Sequence, residues 1–193
     1  MKKIILASGS PRRKQLLEWA EIPFEVIVRD TDESFPPGME AVKAAELIAK
    51  NKALAVKELV SSDPHRLHMP VLGADTIVVL DGRIIGKPKD RNDGIAILKN
   101  LSGNTHQVIT AVCILEGDKQ SIFSDITEVD FHVLTEEQII FYLDKYEPYD
   151  KAGAYAIQEW IGVIGIKAIR GDFYNVMGLP VSRVLMEEIL REN

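Results

Sequence analysis

Ile4-Ile5-Leu6-Ala7-Ser8-Gly9-Ser10-Pro11-Arg12-Arg13 changes character twice within ten residues, and that change decides the fold class. The four apolar residues read as a short buried strand, and the Gly/Ser pair that follows reads as a tight loop. Beyond it Leu16, Leu17 and Ala20 form an apolar stripe beside Arg12, Arg13, Lys14 and Glu18, which is the pattern of a helix. Ser10 is placed to cap that helix, and Pro11 suits its first turn, where a missing N–H costs nothing. Strand, tight loop and helix in succession open an α/β fold. Two guanidinium groups at the positive end of a helix are unfavourable by themselves, so an anion should compensate them. Free backbone N–H groups and Arg forks together suit a phosphate. The plainer alternative is a capped helix with solvated arginines.

Working outward, Phe24 to Val28 reads as a strand leading into the acidic loop Asp30-Thr31-Asp32-Glu33. Pro36-Pro37-Gly38 breaks the chain before a helix from about Glu40 to Val60. Ser61 to Pro70 is polar and reads as a surface loop. Its His65 and His68 have metal-ligand spacing only on a helix, which Pro64 and Pro70 oppose. Val71 to Leu80 is a strand, and Asp81-Gly82 is a strong two-residue hairpin turn into Arg83 to Gly86. A helix is expected from about Asn92 to Leu101, then strands over Gln107 to Leu115 and Ser121 to Val133. Thr135-Glu136-Glu137-Gln138 is a capping box for a helix towards Tyr146. Gly153 to Gln158 and Val163 to Ile169 read as strands, and Val181 to Arg191 as a last helix. No repeat or linker divides the chain, so residues 1–193 are read as one domain.

Composition sets the outer limits. With 193 residues, 46% of them hydrophobic, the chain can bury a sizeable core. A formal net charge of −6 argues against a protein that coats nucleic acid. Cys113 is the single cysteine, so neither a disulfide nor a thiolate cluster can form within the chain, and it reads as core packing. Only four apolar residues follow Met-Lys-Lys before Ser8, too few for an export signal, and no run is long enough to span a membrane. The expectation is a cytoplasmic protein with neither nucleic-acid nor membrane partners.

Several side chains are out of keeping with their surroundings. On the long helix Val42, Ala45, Ala49, Val56 and Leu59 make an apolar stripe, and Lys52 falls inside it, whereas Lys43, Lys50 and Lys57 share a solvated face. Lys52 either snorkels to water or carries its ammonium to an anion. Asp75 is one carboxylate amid Val71-Leu72-Gly73-Ala74 and Ile77-Val78-Val79. Burying it unpaired is expensive, so it needs a partner, a metal or an open cleft. The plainer alternative is a frayed strand end. With Leu80 opposite Arg83, the hairpin register carries Lys87 towards Thr76, beside Asp75. Gln158 has an amide that both donates and accepts, as reading a base edge requires, although a surface glutamine fits the same pattern.

Taken in order, Ser8-Gly9-Ser10-Pro11-Arg12-Arg13, Asp32-Glu33, Lys52-Ala53, Gly73-Ala74-Asp75-Thr76, Gly86-Lys87-Pro88, Asp150-Lys151-Ala152-Gly153-Ala154-Tyr155 with Gln158, and Gly178-Leu179-Pro180 resemble the Maf family of nucleoside triphosphate pyrophosphatases. The resemblance covers nearly the whole chain. It implies an α/β fold with a mixed central sheet flanked by helices, in two lobes around a cleft, akin to inosine triphosphatases. It further implies water attack at the α-phosphorus of a nucleoside triphosphate, with release of pyrophosphate. Asp75 would be catalytic, Ser8, Arg13, Lys52 and Lys87 would bind the substrate, and Glu33, ahead of Asp32, would hold a divalent cation, Mg²⁺ or Mn²⁺. Arg12, Thr76 and Gln158 match the branch associated with dTTP and UTP, and relatives commonly form homodimers. Asn51 departs from the pattern, since relatives commonly carry Glu before Lys-Ala. A pyrophosphatase for noncanonical purine nucleotides and a non-catalytic, nucleotide-binding regulator of cell division are the competing expectations.

Overall fold

The computed structural model describes residues 1–191. Among the described residues seven strands, numbered β1 to β7 along the chain, are ordered β2-β1-β3-β5-β6-β7, with β4 paired to β3, and helices intervene between them. This is the expected α/β class with a mixed sheet. The chain forms two compact units. One comprises Met1–Asp75, Thr110–Asp125 and the segment from Gly178 onward, and the other Thr76–Ile109 and Ile126–Met177.

The first unit is built on β1 (Ile4–Leu6), β2 (Phe24–Val26) and the start of β3 (Val71–Leu80). The three pair in parallel, with Ile4 beside Phe24 and Leu6 beside both Val26 and Leu72. Ile4, Ile5 and Leu6 are all fully buried, which is why the sequence there is continuously apolar and does not alternate. Helix α1 (Pro11–Trp19) follows the loop and buries Leu16 and Leu17, each worth about 2 kcal/mol of apolar burial. Helix α2 (Ala41–Val60) buries Ala44, Ala45, Ile48, Ala49, Ala53, Val56 and Val60. Leu59, expected in the apolar stripe, is half exposed, because the buried face runs along the alanines. Those alanines let the helix approach β3 closely. A Cβ on Gly73 would stand 2.3 Å from the Ala49 carbonyl oxygen and 2.8 Å from the Ala53 nitrogen. Cys113 is fully buried on β5 (Thr105–Glu116), and burial pushes its thiol up to about 11, so it stays protonated.

In the second unit, β3 and β4 (Arg83–Ile85) form the expected hairpin, with Leu80 opposite Arg83. Asp81 and Gly82 have φ of 50° and 74°, the two positive values of a type I′ turn. Helix α3 (Arg91–Leu101) starts at Asp90, whose carboxylate accepts the Asp93 N–H. The end of strand β6 (Lys119–Phe131), from Ile126 on, leads to helix α4 (Glu136–Tyr146), and the capping box at Thr135 and Gln138 forms in full.

The segment after α4 departs from expectation. Gly153 to Gln158 is not a strand: Gly153 and Ala154 have φ of 72° and 58°, and two left-handed residues in succession cannot continue a pleat. Residues Ala152–Ala154 make a 3₁₀ turn, and Ile157 and Gln158 lie in a further turn. Val163 to Ile169 is likewise divided, into helix α5 (Trp160–Gly165) and strand β7 (Ile166–Arg170). A Cβ on Gly162 would fall 1.7 Å from the Ile157 carbonyl oxygen, so only glycine lets this helix turn fold against the preceding loop. Helix α6 (Phe173–Met177) follows. The expected last helix is shorter, α7 (Val181–Val184), followed by a 3₁₀ turn at Glu188–Leu190. Between them Glu187 is extended, and its carboxylate accepts the Ser121 hydroxyl at 2.5 Å.

Candidate active site

The loop between β1 and α1 is organised by Ser8 rather than Ser10. Ser10 occupies the N-cap position with extended geometry, but its side chain makes no capping bond, contrary to expectation. The Ser8 Oγ instead accepts hydrogen bonds from the Ser10 N–H at 3.3 Å and from Arg13 Nη1 at 2.9 Å. Arg13 Nε donates to the Gly178 carbonyl at 2.8 Å. These bonds explain how a guanidinium only 8% exposed is tolerated at a helix start. Burial lowers the Arg13 pKa from its usual value, Asp75 and Glu33 pull it back up, and Arg12 adds to the lowering. The arginine pair therefore divides: Arg13 is a buried, braced cation, while Arg12 is only part-buried.

A second cation stands on α2. Lys52 Nζ lies 2.8 Å from Asp75 Oδ1 and 2.7 Å from Glu33 Oε1. The Lys52 and Asp75 side chains are 15% and 14% exposed, so water screens their attraction little. The Lys52 ammonium thus meets two carboxylates of its own chain. Asp75 is no frayed end either: it sits inside β3, between buried Ala74 and the buried run from Ile77. Its partner came from α2, and the close approach at Gly73 is what brings helix and strand near enough for the two side chains to meet.

Glu33 and Asp75 thus converge on one ammonium. Asp32 is occupied differently, accepting both the N–H and the hydroxyl of Ser34, bonds that hold its carboxyl below the usual range. Among the described residues no group of three or more His, Cys, Asp or Glu is arranged to hold a metal ion. Two carboxylates sharing a lysine remain compatible with Mg²⁺, which keeps several waters and takes one or two protein carboxylates alongside phosphate oxygens.

In the second unit Thr76 follows Asp75 along β3 and is part-buried, while Lys87 is exposed just past the end of β4. The hairpin ladder runs from Leu80 opposite Arg83 to Val78 opposite Ile85, two residues before Lys87. The chain there turns to another partner: the Gly86 carbonyl accepts the Gly153 N–H at 3.1 Å. That bond joins the Lys87 segment to the loop that carries Gln158, itself exposed. Sequence reasoning missed the Gly178 carbonyl as a brace for Arg13, since a backbone acceptor leaves no mark in residue identity. It also missed the side chains that organise the Gln158 loop, for which buried Tyr142 was an available signal.

The model of the Maf-like protein family matches residues 3–192. The chain belongs to the Maf family. Among its relatives are proteins named dTTP/UTP pyrophosphatase from Bacteroides thetaiotaomicron, 45% identical over 96% of this chain and 94% of that one, and from Parabacteroides distasonis, 48% identical over the same shares. A third, from Cytophaga hutchinsonii and of the same name, is 48% identical over 95% of this Maf-like chain and 82% of its own. The solved Staphylococcus aureus Ham1 protein aligns with a TM-score of 0.46 and 18% identity over 67% of this chain and 72% of that one.

Proposed function

We propose that this Maf-family chain is a nucleoside triphosphate pyrophosphatase that hydrolyses dTTP and UTP to the monophosphate and pyrophosphate. Membership of the family and relatives of that name at 45% and 48% identity support the reaction class. The observation that carries the chemistry is the ion pair of Lys52 and Asp75 with Glu33 on the same ammonium. A carboxylate held beside phosphate-binding cations is placed to accept a proton from an attacking water, as a general base does.

In this reading Asp75 takes a proton from the attacking water, whose oxygen forms a bond to the α-phosphorus. The bond from that phosphorus to the bridging oxygen breaks, and pyrophosphate leaves with the oxygen. Arg13 and Ser8 bind phosphate oxygens at the start of α1, where the helix dipole adds to the attraction. Lys52 and Lys87 offset charge on the triphosphate, a contribution largest where donors are fixed beforehand. Glu33 would hold Mg²⁺ or Mn²⁺, which when bound neutralises phosphate charge. Arg12, Thr76 and Gln158 are assigned to the base. The same proposal includes a homodimer in the cytoplasm. No helix among the described residues is long and apolar enough to cross a membrane.

The deciding experiment is pyrophosphate release from the purified protein across dTTP, UTP, modified uridine triphosphates, GTP, ATP and ITP. Turnover confined to the pyrimidines is expected. Preference for ITP would support the noncanonical purine reading, and binding without turnover would support the regulator.

A further inference from the structure

The loop that carries Gln158 has almost no sheet to hold it, yet it is tied at both ends by one buried hydroxyl. Ala156 and Glu159 are the corners of a four-residue turn, closed by the Glu159 N–H on the Ala156 carbonyl at 3.1 Å, with Ile157 and Gln158 at its tip. The hydroxyl of Tyr142, a fully buried residue on α4, accepts the Ala156 N–H at 3.1 Å and donates to the Glu159 carboxylate. Glu159 is turned by a second partner, Lys151, whose ammonium lies 3.8 Å from Oε1 and 2.7 Å from Asp150 Oδ1. Lys151 is itself only 8% exposed. On the other side of the turn the hydroxyl of Tyr155 is hydrogen-bonded to His106 Nε2 at 2.7 Å, both rings being buried.

We propose that Tyr142, with Lys151 and Glu159, is a positioning device that fixes the Gln158 turn and so sets the preference for pyrimidine nucleotides. The inference rests on the assignment of Gln158 to the base. Its physical core is a mismatch between cost and need. A fully buried tyrosine hydroxyl needs one partner, and a leucine or phenylalanine would fill the core without any. Here the hydroxyl bonds both ends of a turn that has no ladder bonds of its own. Ordering a turn in advance removes the entropy otherwise lost when its side chain engages a ligand. The benefit therefore falls on binding of the base and not on the bond-breaking step at phosphorus. The Gly153 bond to the Gly86 carbonyl extends the same brace to the segment before Lys87.

The test is Tyr142→Phe, which deletes the hydroxyl and keeps the ring. KM for dTTP and UTP should rise about tenfold with kcat little changed, the pattern of lost ground-state binding. The ratio of kcat/KM for dTTP over GTP should fall towards that of Gln158→Ala, and the double variant should be no worse than Gln158→Ala alone. Glu159→Gln, which keeps an acceptor for the hydroxyl, should retain most of the preference. Ile139→Val serves as the control for mere destabilisation, being a core change on the same helix that should lower thermal stability while leaving the ratio alone. If Gln158→Ala erodes the preference and Tyr142→Phe does not, the positioning role is overturned. An unchanged preference in Gln158→Ala would instead overturn the base assignment on which the role rests. A wild type without turnover of dTTP would defeat the proposed function itself.

Discussion

At Asp75 two requirements meet on one side chain: inside a strand its carboxylate needs a partner, and it must keep an oxygen available to water. The Lys52 ammonium meets the first by occupying Oδ1. Asp75→Asn is expected to lower kcat by about 10² to 10⁴, the range for loss of a general base, while triphosphate binding holds or strengthens because a negative charge is gone. Isothermal titration beside steady-state kinetics separates the two effects, and near-normal turnover would move the base to Glu33. Lys52→Ala should lower kcat/KM by about 10² to 10³. It also leaves two carboxylates facing each other, so unlike a surface lysine it should cost about 2 kcal/mol of stability, read from a urea midpoint. Lys50→Ala, on another face of the same helix, should do neither. His106 makes a separate prediction about pH. Its imidazole is held neutral by burial, with a pKa pushed down to about 4 against an ordinary 6.5. The unfolded chain therefore binds a proton between those values that the folded chain does not, and stability falls as pH drops through that window. The loss should total about 3 kcal/mol by pH 4, and His106→Gln should flatten it.

Elements were legible where one local rule settles them. The hairpin at Asp81-Gly82 needs two residues with positive φ, and the capping box at Thr135 needs two reciprocal side chains. Both are written in adjacent letters, and both formed as read. Gly153 to Gln158 failed because small and apolar residues are compatible with a strand or a tight turn, and what decided between them was the left-handed Gly153-Ala154 pair and the fit of Gly162 beneath Ile157. The last helix failed for a similar reason: its pattern is helical, but Glu187 is drawn out to Ser121, a partner 66 positions away. At the site, Lys52 and Asp75 could be singled out because each violates the pattern of its own element. Their meeting was not legible, since it depends on how closely α2 approaches β3. That dependence is testable at the element scale. Gly73→Ala places a Cβ against the backbone of Ala49 and Ala53, where no side chain can give way. It should cost about 3 kcal/mol in a denaturant titration. It should also lower turnover more than a distant core variant of equal cost, because the displaced helix carries Lys52.

For the molecule as a whole the measurable quantity is selectivity. A uracil or thymine edge presents acceptor, donor, acceptor, and a purine presents a different series on a larger ring. Sites built on such hydrogen bonds discriminate by up to about 10⁴ when partners are lost. dTTP and UTP should be turned over with GTP and ATP poor, and Gln158→Ala should erode that ratio more than it slows release of pyrophosphate. Comparable kcat/KM for GTP and dTTP in the wild type would remove the base-reading model and leave the reaction class standing. The bond from Arg13 to the Gly178 carbonyl has a consequence of another kind, for biosynthesis. It joins positions 165 residues apart, so this brace on Arg13 forms only after Gly178 has been made. Such long-range closure is slow to form in folding. A nascent chain arrested on the ribosome before residue 178 would already hold Ser8 and its bond to Arg13 but would lack the second brace at Nε. Nucleotide capture by stalled chains of increasing length should therefore rise once Gly178 has emerged.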